Sequence, residues 1–274
     1  MKPKILVTRK MTDEAENELA EIFDATFNKD DKPIPYEELI NLANQYDGLV
    51  VSSWDKFDEN FFNQMNGRLK IIATFSVGYD HINIKSAIQK KIIITNTPNV
   101  LNDAVAEIAI LLMLATCRKA YEGFNLVKLG KWKDAKVDFV NFVMGQSMTG
   151  KTLGIIGMGR IGRIVAKRAK SFGMKIIYHN RNKLSDALED GAIYHESVNS
   201  MMPDCDFVSI HTPATAETKN ILNSETINLL PKHAIVINTS RGSTVDDEAL
   251  IEALQKNKIY AAGLDVFVNE PHVD

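Results

Sequence analysis

The chain has 274 residues, of which 45% are hydrophobic and 24% charged, and its formal net charge at pH 7 is −3. This composition is typical of a globular protein of about two domains. The slight acidic excess argues against nucleic acid or a membrane surface as a partner. Two cysteines, Cys117 and Cys205, are too few for a disulfide scaffold or a metal cluster, and they favour reduced thiols in a cytoplasmic protein.

The N-terminal part of the chain alternates short apolar runs with helical segments. A first helix is predicted in TDEAENELAEIF, with Thr12 as its N-cap, and a second in PYEELINLANQY. The predicted strands are KILVTR, DGLVVSS, LKIIATFSVG and KIIITN. Repeated βα units with nearly continuous apolar strands indicate a parallel sheet that is covered on both faces.

A long apolar helix is predicted over residues 104–117, with Asn102 or Asp103 as its cap. The segment is too short for a bilayer and contains Glu107, which favours a buried core helix over a membrane span. Residues 120–148 predict a helix followed by a wrapping connection. The domain boundary is placed ahead of the long apolar helix, near residues 98–104, with one domain over 1–100 and the other over 101–274.

From Thr149 a second alternating series begins. Its predicted strands are TLGIIG, KIIYH, DFVSIHT, AIVINTS and YAAGLDVFV, with helical patterns between them. The pattern again indicates a parallel sheet with helices on both faces. The predicted fold class is therefore α/β, with two doubly wound parallel-sheet domains.

A glycine-rich turn links the first strand and helix of this second series. Gly157 permits a tight turn, Gly159 lets the backbone approach a pyrophosphate, and Gly162 allows close packing of helix on strand. The helix N-terminus supplies N–H groups and a positive dipole end. We interpret the turn as a dinucleotide site, the alternative being an ordinary structural turn. Its candidate residues are Gly157, Met158, Gly159, Arg160, Ile161 and Gly162.

The residues after the next strand bear on which dinucleotide binds. An NAD enzyme usually has an acidic residue here, to bind the ribose hydroxyls. This chain has Asn180, Arg181 and, two residues on, Lys183. A neutral amide beside a guanidinium attracts a 2′-phosphate, which favours NADP over NAD. In the alternative, Arg181 is a solvated surface charge, and Asn180 binds the ribose without selecting between NAD and NADP.

Arg241 directly follows a predicted strand and lies between Ser240 and Gly242. Residues at the carboxyl end of a parallel strand point into the crevice where ligands bind, so this guanidinium is a candidate for bidentate binding of a small carboxylate. The alternative is that it fixes its own loop by bonding Asp246 or Asp247.

Six ordered motifs resemble the D-isomer-specific 2-hydroxyacid dehydrogenase family, and they span nearly the whole chain. They are SVGYDHI, NTPNVLNDAVAEIAILLML, GKTLGIIGMGRIG, HTPATAETKNIL, NTSRGSTVDDEAL and GLDVFVNEP. SVGYDHI and YHNRNK are most similar to the glyoxylate/hydroxypyruvate reductase and 2-ketogluconate reductase branch. The resemblance implies a flavodoxin-like substrate domain and a Rossmann NAD(P)-binding domain.

The resemblance also implies roles for individual residues. Backbone N–H groups of Val77 and Gly78 would bind the substrate carboxylate. Arg241 would hold that carboxylate and the carbonyl to be reduced. Glu270 would orient a catalytic histidine and favour its protonated form. Asp265 would bind the nicotinamide amide.

Two further residues, Thr239 and Pro213, would line the cofactor cleft. The implied reaction is hydride transfer from NADPH or NADH to C2 of a small 2-oxo acid, with the histidine as general acid. The apolar helix 104–117 and the segment up to 148 resemble the family's dimer region, so we expect a homodimer.

In the family, the catalytic histidine and a helix that returns to the substrate domain come after the NEP segment. We expect this chain to be truncated before both, with His272 a surface loop residue. Two outcomes stay open on that basis. One is an NAD(P)H-dependent reductase, and the other is a non-catalytic dinucleotide-binding protein or inactive truncated paralogue.

Overall fold

The computed structural model describes residues 2–134, 144–270 and 273. The chain divides into two compact units, Met1–Leu101 and Asn102–Asp274. Each unit contains its own parallel sheet, so the predicted α/β class with two parallel-sheet domains is confirmed.

The first unit is built around a five-stranded parallel sheet of order β2-β1-β3-β4-β5. This is the flavodoxin-like order of doubly wound folds. Its strands are β1 (Lys4–Val7), β2 (Asp24–Phe27), β3 (Gly48–Val51), β4 (Ile71–Thr74) and β5 (Ile93–Thr95). Its helices are α1 (Asp13–Ile22), α2 (Tyr36–Ala43), α3 (Glu59–Asn63) and α4 (Ile84–Gln89).

Side chains that cap helices and fill the core account for this arrangement. The Thr12 hydroxyl accepts a hydrogen bond from Ala15 N at the start of α1, so the predicted N-cap is confirmed. Phe57, Phe61 and Phe62 are completely buried under the sheet. Phe57 and Phe61 meet edge to face, with ring centroids 4.8 Å apart.

The second unit contains a six-stranded sheet of order β11-β10-β9-β6-β7-β8. Its strands are β6 (Thr152–Ile156), β7 (Lys175–His179), β8 (Ile193–Tyr194), β9 (Phe207–Ile210), β10 (Ile235–Asn238) and β11 (Ala261–Leu264). Its helices are α5 (Asn102–Cys117), α6 (Ala120–Lys128), α7 (Arg160–Ser171), α8 (Asp186–Glu189), α9 (Val198–Met201), α10 (Ser224–Leu229) and α11 (Asp247–Gln255). Short 3-10 turns cover Lys131–Asp134, Met202–Asp204 and Gly242–Thr244.

The strand order of the second sheet reverses at β6, which pairs in parallel with β7 on one side and β9 on the other. This is the Rossmann order, and ligands bind at the carboxyl ends of the strands where the order reverses. Gly157 and His211 directly follow β6 and β9 at this point. The sheet therefore places its ligand crevice beside the glycine-rich turn.

Helix α5 packs in the core of the second unit, as predicted. Ala106, Ala109 and Met113 are fully buried. The helix already begins at Asn102, so the prediction that Asn102 or Asp103 precedes it as a cap is wrong. Arg168 of α7 instead donates to the Asp103 carboxylate at 2.7 Å and anchors the start of α5. Within residues 2–134 and 144–270, no helix combines the length and apolar character needed to cross a bilayer.

Several strand limits differ from the prediction. The edge strands β2 and β8 were missed, because their sequences, DATF and IY, are short and half exposed. The strand predicted through Val268 ends at Leu264, and Phe267 and Val268 are 40% and 38% exposed. The strand predicted from Leu69 to Gly78 covers only Ile71–Thr74, so its last residues form a loop.

Candidate functional site

The glycine-rich turn connects β6 to α7, and its three glycines have different surroundings. A Cβ on Gly157, which has φ +94°, would lie 2.9 Å from the carbonyl carbon and oxygen of His211. A Cβ on Gly162 would lie 2.5 Å from Gly157 O. A Cβ on Gly159 would meet no atom within 4 Å. Two glycines are therefore required by packing, whereas Gly159 faces open space.

The start of α7 fits the pyrophosphate of a dinucleotide. Its 12 residues begin with Arg160 and contain no acidic residue in the first turn, whereas α1 begins with Asp13 and Glu14. Positive charge at the positive end of a helix dipole is unfavourable unless an anion offsets it. Thr212 Oγ1, beside Gly157, is the one buried side-chain oxygen or nitrogen without a hydrogen-bond partner in the described residues. No pattern in the sequence distinguishes Thr212.

Asn180 and Arg181 follow β7 as predicted, but they face different partners. Asn180 Oδ1 accepts a hydrogen bond of 2.6 Å from Met158 N, so the amide oxygen fixes the glycine-rich turn. Arg181 is exposed. The hydrogen bond from Thr215 and, to a smaller extent, the positive charge of Arg181 lower the pKa of Glu217. The guanidinium is therefore near a carboxylate on the segment that follows β9.

Thr239 and Pro213 lie after neighbouring strands, β10 and β9. Thr239 is buried, and its Oγ1 is 3.4 Å from Nδ1 of His211. The other ring nitrogen of His211 is 2.8 Å from Ser209 Oγ. Pro213 O accepts a hydrogen bond from Thr218 Oγ1 at 2.6 Å. His211 thus connects the ends of β9 and β10 beside the glycine-rich turn.

Burial of the imidazole ring lowers the pKa of His211 from 6.5 to about 4. The unfolded chain binds a proton below about pH 6.5 that the folded protein does not bind, so stability is full above that pH and falls as the pH drops towards 4. This should cost about 1.4 kcal/mol per pH unit within that window. We expect His211→Gln to have a flatter profile than the wild type, measured by urea unfolding between about pH 4.5 and 7. Parallel profiles for the two proteins would contradict this assignment.

Arg241 is held at the carboxyl end of β10 through its backbone. Its carbonyl accepts hydrogen bonds from Asn238 Nδ2 at 3.0 Å and from Thr244 Oγ1 at 2.7 Å. Its guanidinium NH1 donates to Ser240 O at 2.7 Å. Asp246, one of the two carboxylates considered as alternative partners, caps α11 by accepting from Ala249 N.

The segment after β11 packs closely against the Arg241 loop. A Cβ on Gly242 would lie 2.1 Å from the carbonyl carbon of Phe267, so only glycine allows this approach. Glu270 Oε1 accepts a hydrogen bond from Phe267 N at 2.6 Å. Partial burial and, to a smaller extent, the charge of Glu270 raise the pKa of Asp265. Arg241, Asp265 and Glu270 are thus brought to one edge of the sheet. His272 lies outside the described residues.

Val77 and Gly78 lie in the first unit, in the loop after β4. Ser76 O accepts from Thr97 N at 3.1 Å, and Val77 O accepts from Asn96 Nδ2 at 2.8 Å. In a trans peptide the N–H points away from the carbonyl, so the N–H groups of Val77 and Gly78 face the opposite side. In the described part of the chain, neither N–H donates a hydrogen bond. The loop therefore has two adjacent donors available for an anion.

Comparisons with known proteins identify relatives of this chain. The sequence profile of the D-isomer specific 2-hydroxyacid dehydrogenase NAD-binding domain matches residues 110–274. The glyoxylate reductase of Thermococcus litoralis is 40% identical over 273 residues, which are 99% of this chain and 82% of that protein. That of Pyrococcus horikoshii is 38% identical over 99% of this chain and 81% of its own length.

Solved structures match both units of the chain. The glyoxylate reductase of Paecilomyes thermophila has a TM-score of 0.88 at 33% identity, covering 100% of this chain and 84% of that one. The NADPH-dependent glyoxylate/hydroxypyruvate reductase of Sinorhizobium meliloti, in complex with NADP and malonate, has a TM-score of 0.87 at 32% identity, covering 100% and 82%. The chain belongs to the D-isomer-specific 2-hydroxyacid dehydrogenase family of NAD(P)-dependent oxidoreductases.

Proposed function

We propose that this protein reduces a small 2-oxo acid of the glyoxylate, hydroxypyruvate or 2-ketogluconate type to the D-2-hydroxy acid. The observation that carries the proposal is the placement of Arg241, Asp265 and Glu270 at one edge of the sheet that also carries the glycine-rich turn. Its relatives named glyoxylate reductase support the same substrate class.

Each residue receives a role from its position. NADPH or NADH, when bound, supplies the hydride. The first turn of α7 and the open space at Gly159 receive the pyrophosphate. Thr212, Pro213 and Thr239 line the cofactor cleft, and we assign Asp265 to the nicotinamide amide.

The substrate is bound by its carboxylate and its carbonyl. We assign the carboxylate to the N–H groups of Val77 and Gly78 in the first unit, which we propose as the substrate domain. Arg241 donates in bidentate fashion to the carboxylate and to the oxygen that gains negative charge during reduction. Glu270 would orient the histidine that serves as general acid in the family and would keep it protonated.

The direct test is a steady-state assay of the purified protein. Oxidation of NADPH is followed with glyoxylate, hydroxypyruvate and 2-ketogluconate, and the stereochemistry of the product is determined. Formation of the D-2-hydroxy acid supports the proposal. Tight dinucleotide binding without turnover of any 2-oxo acid would instead favour a non-catalytic dinucleotide-binding protein.

We also propose that NADP is the preferred cofactor, because Arg181 is exposed and no carboxylate occupies position 180. Arg181→Ala is expected to weaken NADPH binding by roughly 10-fold or more, as loss of a charge-assisted hydrogen bond does, and to leave NADH binding nearly unchanged. Calorimetric titration of both dinucleotides measures this. Lys175→Ala, at the opposite end of β7, removes a positive charge as the control. Equal loss for both cofactors would contradict the proposal.

A homodimer and a cytoplasmic location complete the proposal. The first is supported by large apolar side chains that are exposed on α5, α6 and the following turn. These are Leu111, Tyr121, Phe124, Val127, Leu129 and Trp132. Light scattering in solution tests the dimer.

The location is supported by Cys117 and Cys205, both buried and unpaired, as in proteins of reducing compartments.

A further inference from the structure

The loop that carries Arg181 is anchored at its beginning. It runs from Asn180 to Leu184, between β7 and α8. Asn180 Oδ1 accepts from Met158 N at 2.6 Å, and Asn180 O is 3.3 Å from the hydroxyl of Tyr194. The beginning of the loop is therefore tied both to the glycine-rich turn and to the edge strand β8.

The end of the loop is anchored by a buried tyrosine and a buried glutamate. Tyr178, in β7, is completely buried, and its hydroxyl accepts a hydrogen bond from Leu184 N at 2.9 Å. The same hydroxyl donates to Glu189 Oε1 at 2.5 Å. Burial and, next, the Glu189 carboxylate raise the pKa of Tyr178 to about 12. The hydroxyl keeps its proton at neutral pH and so serves both bonds.

Glu189 also engages the basic side chain at the end of the loop. Its Oε2 is 3.7 Å from Lys183 Nζ, and Glu189 itself is only 8% exposed. Arg181 and Asn182, between these contacts, are exposed, as is Lys183 itself. The guanidinium is thus presented from a short segment whose two ends are both attached to the core.

We propose that Tyr178 and Glu189 are positioning residues for the cofactor's 2′-phosphate, acting through the loop that presents Arg181. This inference rests on the proposed preference for NADP. A loop that is already ordered before binding loses little conformational entropy when it binds the 2′-phosphate. This smaller entropic cost favours only NADPH, because NADH has no 2′-phosphate. The pyrophosphate common to both cofactors binds at the glycine-rich turn. Loss of the contacts at the end of the loop should therefore lower the preference for NADPH over NADH, and it should not weaken the binding of both cofactors equally.

A purely structural role makes a different prediction. A buried tyrosine needs a hydrogen-bond partner, and Glu189 supplies one whatever the loop does. If the pair only stabilises the domain, its loss lowers the melting temperature and affects the two cofactors in the same proportion. The ratio of the dissociation constants for NADH and NADPH therefore separates the two roles.

The experiment measures both dissociation constants by calorimetry for the wild type and three variants. Tyr178→Phe removes the hydroxyl that binds Leu184 N, and Glu189→Ala removes the carboxylate that holds this hydroxyl and faces Lys183 Nζ. Each is expected to lower the NADH/NADPH ratio by roughly fivefold to 10-fold, about the value of one hydrogen bond. Glu189→Gln keeps an oxygen that accepts from Tyr178 and should retain the wild-type ratio. Tyr46→Phe is the matched control, since it removes a largely buried hydroxyl that bonds Thr26 Oγ1 in the first unit.

An unchanged ratio in both Tyr178→Phe and Glu189→Ala overturns the inference, whether the two cofactors bind as in the wild type or both lose affinity by the same factor. If Tyr178→Phe fails to fold, the contrast between Glu189→Ala and Glu189→Gln decides alone. A wild type that binds NADPH no more tightly than NADH overturns the proposed cofactor preference, and the inference with it. A wild type that prefers NADPH, while Tyr178→Phe and Glu189→Ala both keep that preference in full, overturns the inference only.

Discussion

Gly159→Val is expected to weaken dinucleotide binding by on the order of 100-fold, equivalent to about 2.7 kcal/mol, without unfolding the protein. A Cβ at this position meets no protein atom within 4 Å, and the φ of Gly159 is negative, at −79°. The fold therefore has open space where the added side chain begins. The side chain instead occupies the space through which the pyrophosphate approaches the start of α7. Affinity by calorimetry and melting temperature by circular dichroism measure the two effects separately.

Two other glycines provide the comparison. Gly162→Ala places a Cβ 2.5 Å from Gly157 O, so it should lower stability as well as affinity. Gly123→Val, in α6, also adds its Cβ to open space but lies outside the turn, and it should leave dinucleotide affinity unchanged. Wild-type affinity in Gly159→Val would show that the turn only connects β6 to α7.

Arg241→Lys is expected to lower kcat/KM for the 2-oxo acid by roughly 10²- to 10³-fold, comparable to loss of one donor to a developing oxyanion. Lysine keeps the charge but lacks the planar pair of donors that match a carboxylate. The backbone should tolerate the change, because Asn238 and Thr244 hold the carbonyl of residue 241 whatever its side chain. Steady-state kinetics with glyoxylate and NADPH measure the loss.

The binding of NADPH to Arg241→Lys should stay near the wild-type value, since we assign Arg241 to the substrate and not to the cofactor. Arg68→Lys is the control, because this arginine is part of a surface ion pair with Asp47 in the first unit. Near-normal kcat/KM in Arg241→Lys would indicate that Arg241 fixes its own loop and does not bind the substrate.

Much of the architecture could be predicted from hydrophobic patterns and turn residues alone. The strands β1, β3, β6, β9 and β10 are predominantly apolar, because both faces of a parallel sheet are buried. The glycine-rich turn was recognisable because its three glycines, at the spacing typical of a dinucleotide-binding turn, lie between a predicted strand and a predicted helix. Arg241 was identified for a similar reason, since a residue directly after a parallel strand lies at the ligand-binding edge.

Other features depend on contacts between residues that are distant in sequence. The edge strands β2 and β8 carry little apolar signal, and only pairing with β1 and β7 makes them strands. The prediction for Asn180 rested on the neutral amide in place of a carboxylate, yet the orientation of that amide is set by Met158 N, 22 positions earlier. The buried, unpartnered Thr212 Oγ1 depends on the close approach of the segments after β6 and β9.

The pair of Tyr178 and Glu189 illustrates the division between sequence and tertiary structure. The sequence by itself placed Tyr178 in a strand and Arg181 after it, because local periodicity and residue type determine such features. Only the tertiary structure decided that the tyrosine hydroxyl meets Glu189 and Leu184 N in the interior. The physical reason is that a buried polar group must find its partners in three dimensions, and side-chain directions do not follow from spacing along the chain.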